Sequence, residues 1–413
     1  MDSPVFDMSL PHFLKNVLHF CFRGSIIGRK SSDIRRHPTE TASKKGVIVD
    51  FLKKNAVMFI ALVAAIVTSF LIHPDKEYIH YFDFKTLSCL FCVLAVVCAL
   101  RNIRFFYLLA HQVVRLFKNA RMCVMALLYI TFLGSMLIAN DMALLTFLPL
   151  GYLVLEATGE QKYMAKTFIL QNIAANLGGM LTPFGNPQNL YLYSKFNIPD
   201  GEFIRIMAPS FLLSIAMITL CCILFIKPEP LEIAEEKISL PPVRTILYLL
   251  LFALSIIIVF RLIPYYIGLI VVPLVLLFLD RRALAKVDYP LLLTFVFFFI
   301  FAGNMARIEQ VRNFFSTLLS KNTLIFSALS CQFISNVPSA ILLSQFTDEY
   351  RELLIGVNIG GTGTIIASLA SLITFREFTK QRKGEAGKYL LEFSAFNFSF
   401  LLILILFNTF VSI

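Results

Sequence analysis

The sequence predicts an all-α polytopic membrane protein, and three observations support this prediction. Hydrophobic residues make up 58% of the 413 residues and charged residues only 15%, whereas a soluble domain carries roughly 25% charge. The mean hydropathy is +0.76, and phenylalanine occurs 42 times. Apolar runs such as 55–72 approach the length of about 20 residues that a membrane-spanning helix requires.

Apolar segments recur along the chain, and two of them are interrupted by polar residues. The predicted spans are 55–73, 85–101, 164–196 (interrupted), 205–226, 244–261, 263–280, 289–303, 353–376 (interrupted) and 388–411.

Four further segments are apolar but unlike simple spans. The stretches 121–157 and 322–348 each contain a polar break near the centre, which predicts two re-entrant hairpins. The segments 102–119 and 304–320 mix apolar with basic residues, a pattern typical of helices lying along the membrane surface.

Basic residues are concentrated at particular places, which explains the net charge of +11. The tail 1–54 holds ten of the 37 lysines and arginines, and the segments 101–121, 281–286 and 376–388 hold 13 of the other 27. This distribution indicates membrane orientation rather than nucleic-acid binding, and it places the N-terminus in the cytoplasm of an inner (plasma) membrane protein. The charges agree with re-entrant and with fully crossing hairpins, so they do not decide between them.

The tail 1–54 is predicted to be a cytoplasmic basic tail. Residues 10–22 are compatible with an amphipathic helix on the membrane surface and equally with a partly disordered segment. No cleavable signal is expected, because the first long apolar run begins only near Asn55 and no small-residue cleavage site follows it.

The order of predicted parts occurs twice, at 85–226 and at 289–411. We therefore divide the chain into a first repeat with hairpin 121–157, a connector and a second repeat with hairpin 322–348. The first hairpin would be entered from the cytoplasm and the second from outside, which is the inverted-repeat pattern of secondary transporters. The boundaries are 55–226 for the first repeat, 227–242 for the connector and 243–413 for the second repeat.

Polar clusters lie at the centres of both hairpins and both interrupted spans. Irregular backbone inside a membrane is tolerated only where protein or a water-filled cavity satisfies it. The freed helix N-termini suit an anion and the freed carbonyls suit Na⁺. The clusters are Ala139–Asp141, Asn172–Asn189, Ser335–Pro338 and Asn358–Ser368.

Each hairpin is expected to pair with the interrupted helix of its own half, although each cluster by itself resembles ordinary helix capping. Asn140, Asp141, Gly178, Thr182 and Gly185 are the candidates for one cation site. The candidates for its counterpart are Ser335, Asn336, Gly361, Thr364 and Ser368. The candidates for contacting substrate between the hairpins are Asn140, Asn186, Asn336 and Thr362.

Asp141 is the only carboxylate in any predicted hairpin tip or helix break. An acidic group inside the bilayer is costly and indicates a functional site. Asp141 is therefore predicted to bind a cation or to carry a proton, the alternative being a capping role.

Other functional classes find little support. The CxxC of Cys89 and Cys92 lies inside a predicted span without a second pair, which argues against zinc or redox chemistry. No GxxxxGK[ST] pattern occurs in the sequence, which argues against direct use of ATP. We expect no enzyme activity and no cofactor other than bound Na⁺.

The motifs resemble those of the ion-transporter superfamily, which includes citrate permeases, divalent anion–sodium symporters and arsenite permeases. The resemblance covers about 85–411, and four motifs carry it: ANDMALLTFLP, ANLGGMLTPFGNPQN, SNVPSAILL and NIGGTGTIIASLASLI. It implies a homodimer that works by an elevator-like movement.

The hairpin tips depart from one branch of this superfamily. Dicarboxylate symporters carry Ser-Asn-Thr at both tips, whereas this chain has Ala139–Asp141 and Ser335–Val337. The lost hydroxyls argue against dicarboxylate recognition, and the acidic first tip resembles arsenite permeases and sodium/proton antiporters. The leading hypothesis is a carrier of a small anion, citrate favoured, coupled to Na⁺ or H⁺. The alternatives are an arsenite exporter or Na⁺/H⁺ antiporter and, from another class, a membrane scaffold or receptor.

Overall fold

The computed structural model describes residues 55–157, 159–230 and 240–411. The predictions for the tail 1–54 and for most of the connector 227–242 fall outside these residues. Every regular element in the described part is helical, so the all-α prediction is confirmed there.

The helices of the first half follow the predicted order. Asp83 and Asn119 cap two of them, accepting hydrogen bonds from the amides of Thr86 (2.9 Å) and Met122 (2.9 Å). The helices are α1 (Ala56–Leu71), α2 (Phe84–Asn102), α3 (Phe105–Val114), α4 (Ala120–Ile138), α5 (Asn140–Ala157), α6 (Met164–Gly178), α7 (Pro187–Lys195) and α8 (Asp200–Phe225).

The second half begins with two extra helices and a short turn of helix and then repeats the order of the first half. Asp288 and Asn322 cap two of its helices through the amides of Leu291 (3.0 Å) and Ile325 (2.7 Å). The helices are α9 (Pro242–Val259), α10 (Tyr265–Leu279), α11 (Arg281–Ala285), α12 (Tyr289–Arg307), α13 (Glu309–Lys321), α14 (Thr323–Ile334), α15 (Asn336–Leu343), α16 (Tyr350–Ile359), α17 (Leu369–Gln381) and α18 (Ala386–Val411).

Six helices of the described part are long and apolar enough to cross a membrane: α2, α4, α8, α9, α12 and α18. Large apolar side chains such as Phe70, Leu212 and Phe278 are 63% to 77% exposed. Such exposure would be unfavourable in water but suits a surface covered by lipid. The prediction of a polytopic membrane protein is therefore confirmed.

The helices form two packed groups. In one group α1 lies against α12, and α9 and α10 lie against α2. Asn304 of α12 donates a hydrogen bond to the Thr68 hydroxyl of α1 (3.2 Å). At the end of α12 the Arg307 guanidinium binds Asp75 (2.7 Å) and holds the pKa of that carboxyl below its ordinary value. The other group is built from α4–α8 and α14–α18.

Four helix interruptions lie in this second group. The first hairpin (α4 and α5) bends at Ala139, and the second hairpin (α14 and α15) bends at Ser335. The first break (179–186) separates α6 from α7, and the second break (360–368) separates α16 from α17. All four positions agree with the polar clusters in the sequence.

The arms of the two hairpins differ in length. The arms of the first hairpin have 19 and 18 residues, and those of the second have 12 and 8. At 1.5 Å per residue the second pair extends only about 18 and 12 Å, less than the roughly 30 Å of a hydrocarbon core.

Candidate functional site

The two hairpins bend through the same unusual backbone conformation. Ala139 has φ 64° and ψ 151°, and Ser335 has φ 74° and ψ 158°. Residues other than glycine rarely adopt this region, which costs of order 1–3 kcal/mol and persists only where the surroundings impose it. The strain is thus present at corresponding places in both halves.

An asparagine follows each bend and begins the next helix. Asn140 and Asn336 are each 3% exposed. The Oδ1 atom of each accepts a hydrogen bond from the following amide, Asp141 or Val337, at 2.9 Å. The N-termini of α5 and α15 are therefore held in the same way, with their positive dipole ends inside the protein.

The two breaks share the pattern Asn-x-Gly-Gly-x-x-Thr, at 176–182 and at 358–364. The threonine at the end of each pattern fastens the break to the neighbouring hairpin. The Thr182 hydroxyl donates to the Met136 carbonyl (2.7 Å), and the Thr364 hydroxyl donates to the Gln332 carbonyl (3.0 Å). Each break is thus bound to the first arm of the hairpin in its own half.

The first asparagine of each pattern forms bonds across the two halves. Asn176 Oδ1 accepts a hydrogen bond from the Ser368 hydroxyl (2.8 Å), which caps α17. Asn358 Oδ1 accepts one from Asn186 Nδ2 (3.1 Å), at the start of α7. Each half therefore holds the N-terminus of the other half's broken helix.

The hairpin tips join this arrangement. Asn140 Nδ2 donates to Asn176 Oδ1 (3.1 Å), and the main-chain N–H of Asn336 donates to the Ala367 carbonyl (2.9 Å). The N-termini of α5, α7, α15 and α17 consequently meet in one place. We call this place the asparagine junction, defined as Asn140, Asn176, Asn186, Asn336, Asn358 and Ser368.

Five of the predicted site residues lie at the asparagine junction. Four of them are Asn140, Asn186, Asn336 and Ser368, each at most 3% exposed. The fifth, Gly361, lies against it: a Cβ atom there would be 3.1 Å from Asn336 Nδ2. The structure thus brings residues predicted for the substrate site together with residues predicted for both cation sites.

Other predicted residues make contacts of a structural kind. A Cβ atom on Gly178 would lie 2.1 Å from the Phe132 carbonyl oxygen, so this glycine allows α6 to pack closely on α4. A Cβ atom on Gly185 would lie 2.3 Å from the Gly179 oxygen in the turn of the first break. The roles of these glycines in ion binding stay predictions.

The predicted hydroxyl groups are also engaged. The Thr362 hydroxyl donates within its own turn to the Ile359 carbonyl (2.6 Å). The hydroxyl of Ser335 lies 3.3 Å from the Ala367 carbonyl oxygen. Thr182 and Thr364 are bonded to the hairpins, as described above. Binding of a ligand by any of these hydroxyls stays a prediction and would require a bond to be exchanged or shared.

Asp141 has an unsatisfied carboxylate oxygen. Its Oδ1 atom is buried and has no hydrogen-bond partner within the described part of the chain. A buried carboxylate oxygen without a donor is suited to receive a cation or a proton.

Sequence reasoning missed Gln332, which closes the second break. Its Nε2 donates to the carbonyls of Gly360 (2.9 Å) and Thr362 (3.1 Å), and its Oε1 accepts from the Thr364 amide (2.8 Å). It lies in an apolar run and gave no signal of its own. The individual roles of Asn176 and Asn358 were also missed, although the repeated Asn-x-Gly-Gly-x-x-Thr pattern would have revealed them.

Arg101 is a further residue that the charge pattern placed only at the membrane surface. Its Nη1 atom lies 3.8 Å from the sulfur of Met142, the residue after Asp141. A basic group therefore lies beside the first tip, and sequence spacing alone gave no indication of this contact.

Comparison with known proteins agrees with this architecture. The citrate transporter family (CitMHS) matches residues 46–349. An uncharacterized transporter of Methanocaldococcus jannaschii is 33% identical over 78% of this chain and 88% of its own length. The inner membrane protein YbiR of Escherichia coli is 30% identical over 67% of this chain and 75% of its own.

A more distant similarity concerns a shorter segment. The silicon efflux transporter LSI3 of Oryza sativa subsp. japonica is 31% identical over 34% of this chain and 29% of its own length. The family match extends across both hairpin tips and the first break. The segments aligned with the first two relatives make up most of the length of each relative. The chain therefore belongs to the citrate transporter family of membrane transporters.

Proposed function

We propose that the protein is a secondary active transporter that moves a small anion, with a carboxylate such as citrate favoured, in a process coupled to Na⁺ or H⁺. The observation that carries this proposal is the asparagine junction, where four helix N-termini meet beside one unsatisfied carboxylate. Transport also explains why strained backbone and buried amides occur in matched pairs, which a membrane scaffold or receptor would not require.

The anion is assigned from the helix ends. Each N-terminus carries the equivalent of about half a positive charge and amide groups that can donate hydrogen bonds. The side chains of the asparagine junction add amide and hydroxyl donors but no positive charge. This combination suits a substrate with few negative charges, bound between the two tips by Asn140, Asn186, Asn336 and Thr362.

The coupling ion is assigned to the first tip. Asp141 is a carboxylate with an open acceptor atom, whereas carbonyls of the neighbouring break already accept hydrogen bonds from Asn189. Na⁺ prefers such oxygen atoms, whereas H⁺ would require only the carboxylate. The predicted second cation site has no carboxylate, and Gln332 donates to two carbonyls of the adjoining second break, those of Gly360 and Thr362.

The architecture proposed for this mechanism is an inverted repeat with two re-entrant hairpins. The short arms of the second hairpin support re-entry, because they are too short to cross a bilayer. The charge distribution supports a cytoplasmic N-terminus, and the relative named as an inner membrane protein supports that location. A homodimer with elevator-like movement is proposed from the superfamily resemblance.

A second candidate function is export of a small neutral acid such as arsenite, or Na⁺/H⁺ exchange. Two observations favour it: the junction side chains carry no positive charge, and one relative is named as a silicon efflux transporter. Weak acids that are uncharged at neutral pH would need only the amide and hydroxyl groups found there.

Reconstitution in proteoliposomes separates these candidates. Uptake of citrate, succinate, sulfate, arsenite and silicic acid would be measured under imposed Na⁺ or H⁺ gradients of either direction. Gradient-driven accumulation of an anion supports the first proposal. Movement of only the neutral acids, or Na⁺/H⁺ exchange without anion flux, would overturn it in favour of the second candidate.

A further inference from the structure

A cavity lies away from the asparagine junction, at the start of α6 and around the link between α17 and α18. Its volume is about 210 Å³. This is below the roughly 300–1,000 Å³ typical of sites for drug-sized ligands. The size suits a phosphate group with a short polyol.

Six of the eleven residues that line the cavity are charged, and four of these are basic. The four cations are Lys162, Lys166, Arg382 and Lys388, and the two anions are Glu385 and Glu392. The lining therefore has an excess of two positive charges.

Two of the four cations are already engaged. Lys162 binds Glu229 (2.5 Å) and Glu160 (3.3 Å), and Arg382 lies 3.5 Å from Glu385. Lys166 and Lys388 form no ion pair in the described part of the chain. These two ammonium groups are thus available to an external anion.

The wall of the cavity adds features suited to the same ligand. Met164 and Lys166 belong to the first turn of α6, which follows directly on a 3-10 turn (Gln161–Tyr163) whose Gln161 carbonyl accepts a hydrogen bond from the Met164 amide. Tyr389 is 1% exposed, and its hydroxyl has no partner in the described structure. Phe378 stacks on the Tyr389 ring at 4.1 Å and makes this side apolar.

Glu392 favours ligands that carry hydroxyl groups over simple anions. One of its carboxylate oxygens is buried without a hydrogen-bond partner in the described region. A bare anion would be repelled by this group, whereas a ligand that also carries hydroxyl groups could donate a hydrogen bond to it. The arrangement therefore favours a phosphate with a neighbouring alcohol.

We propose that this cavity binds a glycerophosphate group through Lys166 and Lys388, with Glu392 accepting a hydrogen bond from a glycerol hydroxyl. The group has two sources, the headgroup of an anionic phospholipid and a soluble glycerol phosphate. Basic pockets between helices near the cytoplasmic membrane surface commonly hold lipid headgroups. The site lies outside the asparagine junction and does not depend on what the transporter carries.

Binding to the purified full-length protein tests the proposal in two arms. In the first arm, native mass spectrometry follows binding of phosphatidylglycerol and, as the comparison lipid, phosphatidylcholine. In the second, thermal unfolding is followed with glycerol 3-phosphate and with glycerol. The test variant is Lys166→Gln with Lys388→Gln. Lys383→Gln is the matched control, because this exposed lysine precedes Lys388 in the same link but does not line the cavity.

The double variant should bind the responding probe at least about fivefold more weakly, since it loses two charge-assisted contacts, while the control stays within about twofold of wild type. A double Lys→Arg variant should restore binding if the charges are responsible. A response to phosphatidylglycerol identifies the lipid source, and a response to glycerol 3-phosphate alone identifies the soluble one. Wild-type affinity of the double glutamine variant in both arms would overturn the proposal, whatever the transport assays show.

Discussion

The two hairpin tips have nearly the same backbone but different chemistry. Ala139 and Ser335 differ by only 10° in φ and 7° in ψ (64° and 151° against 74° and 158°). The asparagine that follows each of them accepts the same 2.9 Å hydrogen bond. The next residue is Asp141 in the first half and Val337 in the second. The repeat thus preserves geometry while it places the only carboxylate at one tip.

The two breaks are also closed by different side chains. In the first break, Asn189 of α7 donates to the carbonyls of Gly179, Met180 and Thr182 at 3.2 Å each. In the second break, Gln332 of the neighbouring hairpin instead donates to the carbonyls of Gly360 and Thr362. The second hairpin is therefore bonded to its break by main chain and side chain.

The comparison indicates a division of labour. The second tip and its break form a connected unit with few unsatisfied atoms, whereas the first tip contains an open carboxylate oxygen. Buried groups without partners are costly and are retained where they have a function. We therefore expect ion coupling to depend on the first half and rigidity to depend more on the second.

The largest effect is expected from Asn176→Ala, because Asn176 accepts hydrogen bonds from both halves. The change leaves Asn140 Nδ2 and the Ser368 hydroxyl without their partner, at a cost of about 2–4 kcal/mol in the free energy of unfolding. Transport should fall by about 100-fold, which corresponds to about 2.7 kcal/mol. Initial rates in proteoliposomes and thermal unfolding measure the two effects.

Asn408→Ala is the control for this change. Asn408 is also a buried asparagine, and it accepts a hydrogen bond from Ser210 (2.8 Å) between α8 and α18. Its loss should lower stability while leaving transport per folded molecule nearly unchanged. Equal losses of transport in the two variants would argue against a special role of the junction.

An intermediate effect is expected from exchanging the residues at the corresponding positions Gln332 and Met136. Gln332→Met leaves two carbonyls and one amide of the second break unpaired and should lower the free energy of unfolding by about 2–3 kcal/mol. Met136→Gln should change the free energy of unfolding by less than about 1 kcal/mol, because Asn189 already donates to the carbonyls of the first break. Chemical or thermal unfolding in detergent compares the two. Similar losses would contradict the proposed difference between the breaks.

The smallest effect is expected from glycine at the bends. Ala139→Gly should raise the free energy of unfolding by about 1 kcal/mol, since relief of the strained conformation outweighs the entropy that glycine adds to the unfolded chain. Ser335→Gly should act in the same direction but less, because it also removes the serine hydroxyl. Melting temperatures of the two variants test this. Opposite signs would show that the two bends are not equivalent.

Much of the fold follows from local sequence, because membrane helices are defined by apolar length and their interruptions by polar residues. The bends were expected at 139–141 and 335–338 and occur at Ala139 and Ser335. The short arms of the second hairpin were not foreseen, since apolar composition does not show where a helix stops.

The site was less predictable than the fold. Asn140, Asn336 and Ser368 were recognisable as polar residues in apolar surroundings. The bond between Asn176 and Ser368 joins residues 192 positions apart, and no periodicity within one segment encodes such a pair. Gln332 and Arg101 were missed for the same reason, because their importance comes from the segments that pack against them.

The direct test of the division between the tips is gradient-driven accumulation by Asp141→Asn. Proteoliposomes would be examined for two activities, accumulation under an imposed cation gradient and exchange of labelled for unlabelled substrate without a gradient. The variant should retain exchange but lose accumulation. Glu156→Gln also replaces a carboxylate by an amide, at an exposed position of α5, and it should retain both accumulation and exchange. Wild-type accumulation by Asp141→Asn would contradict the assignment of coupling to the first tip.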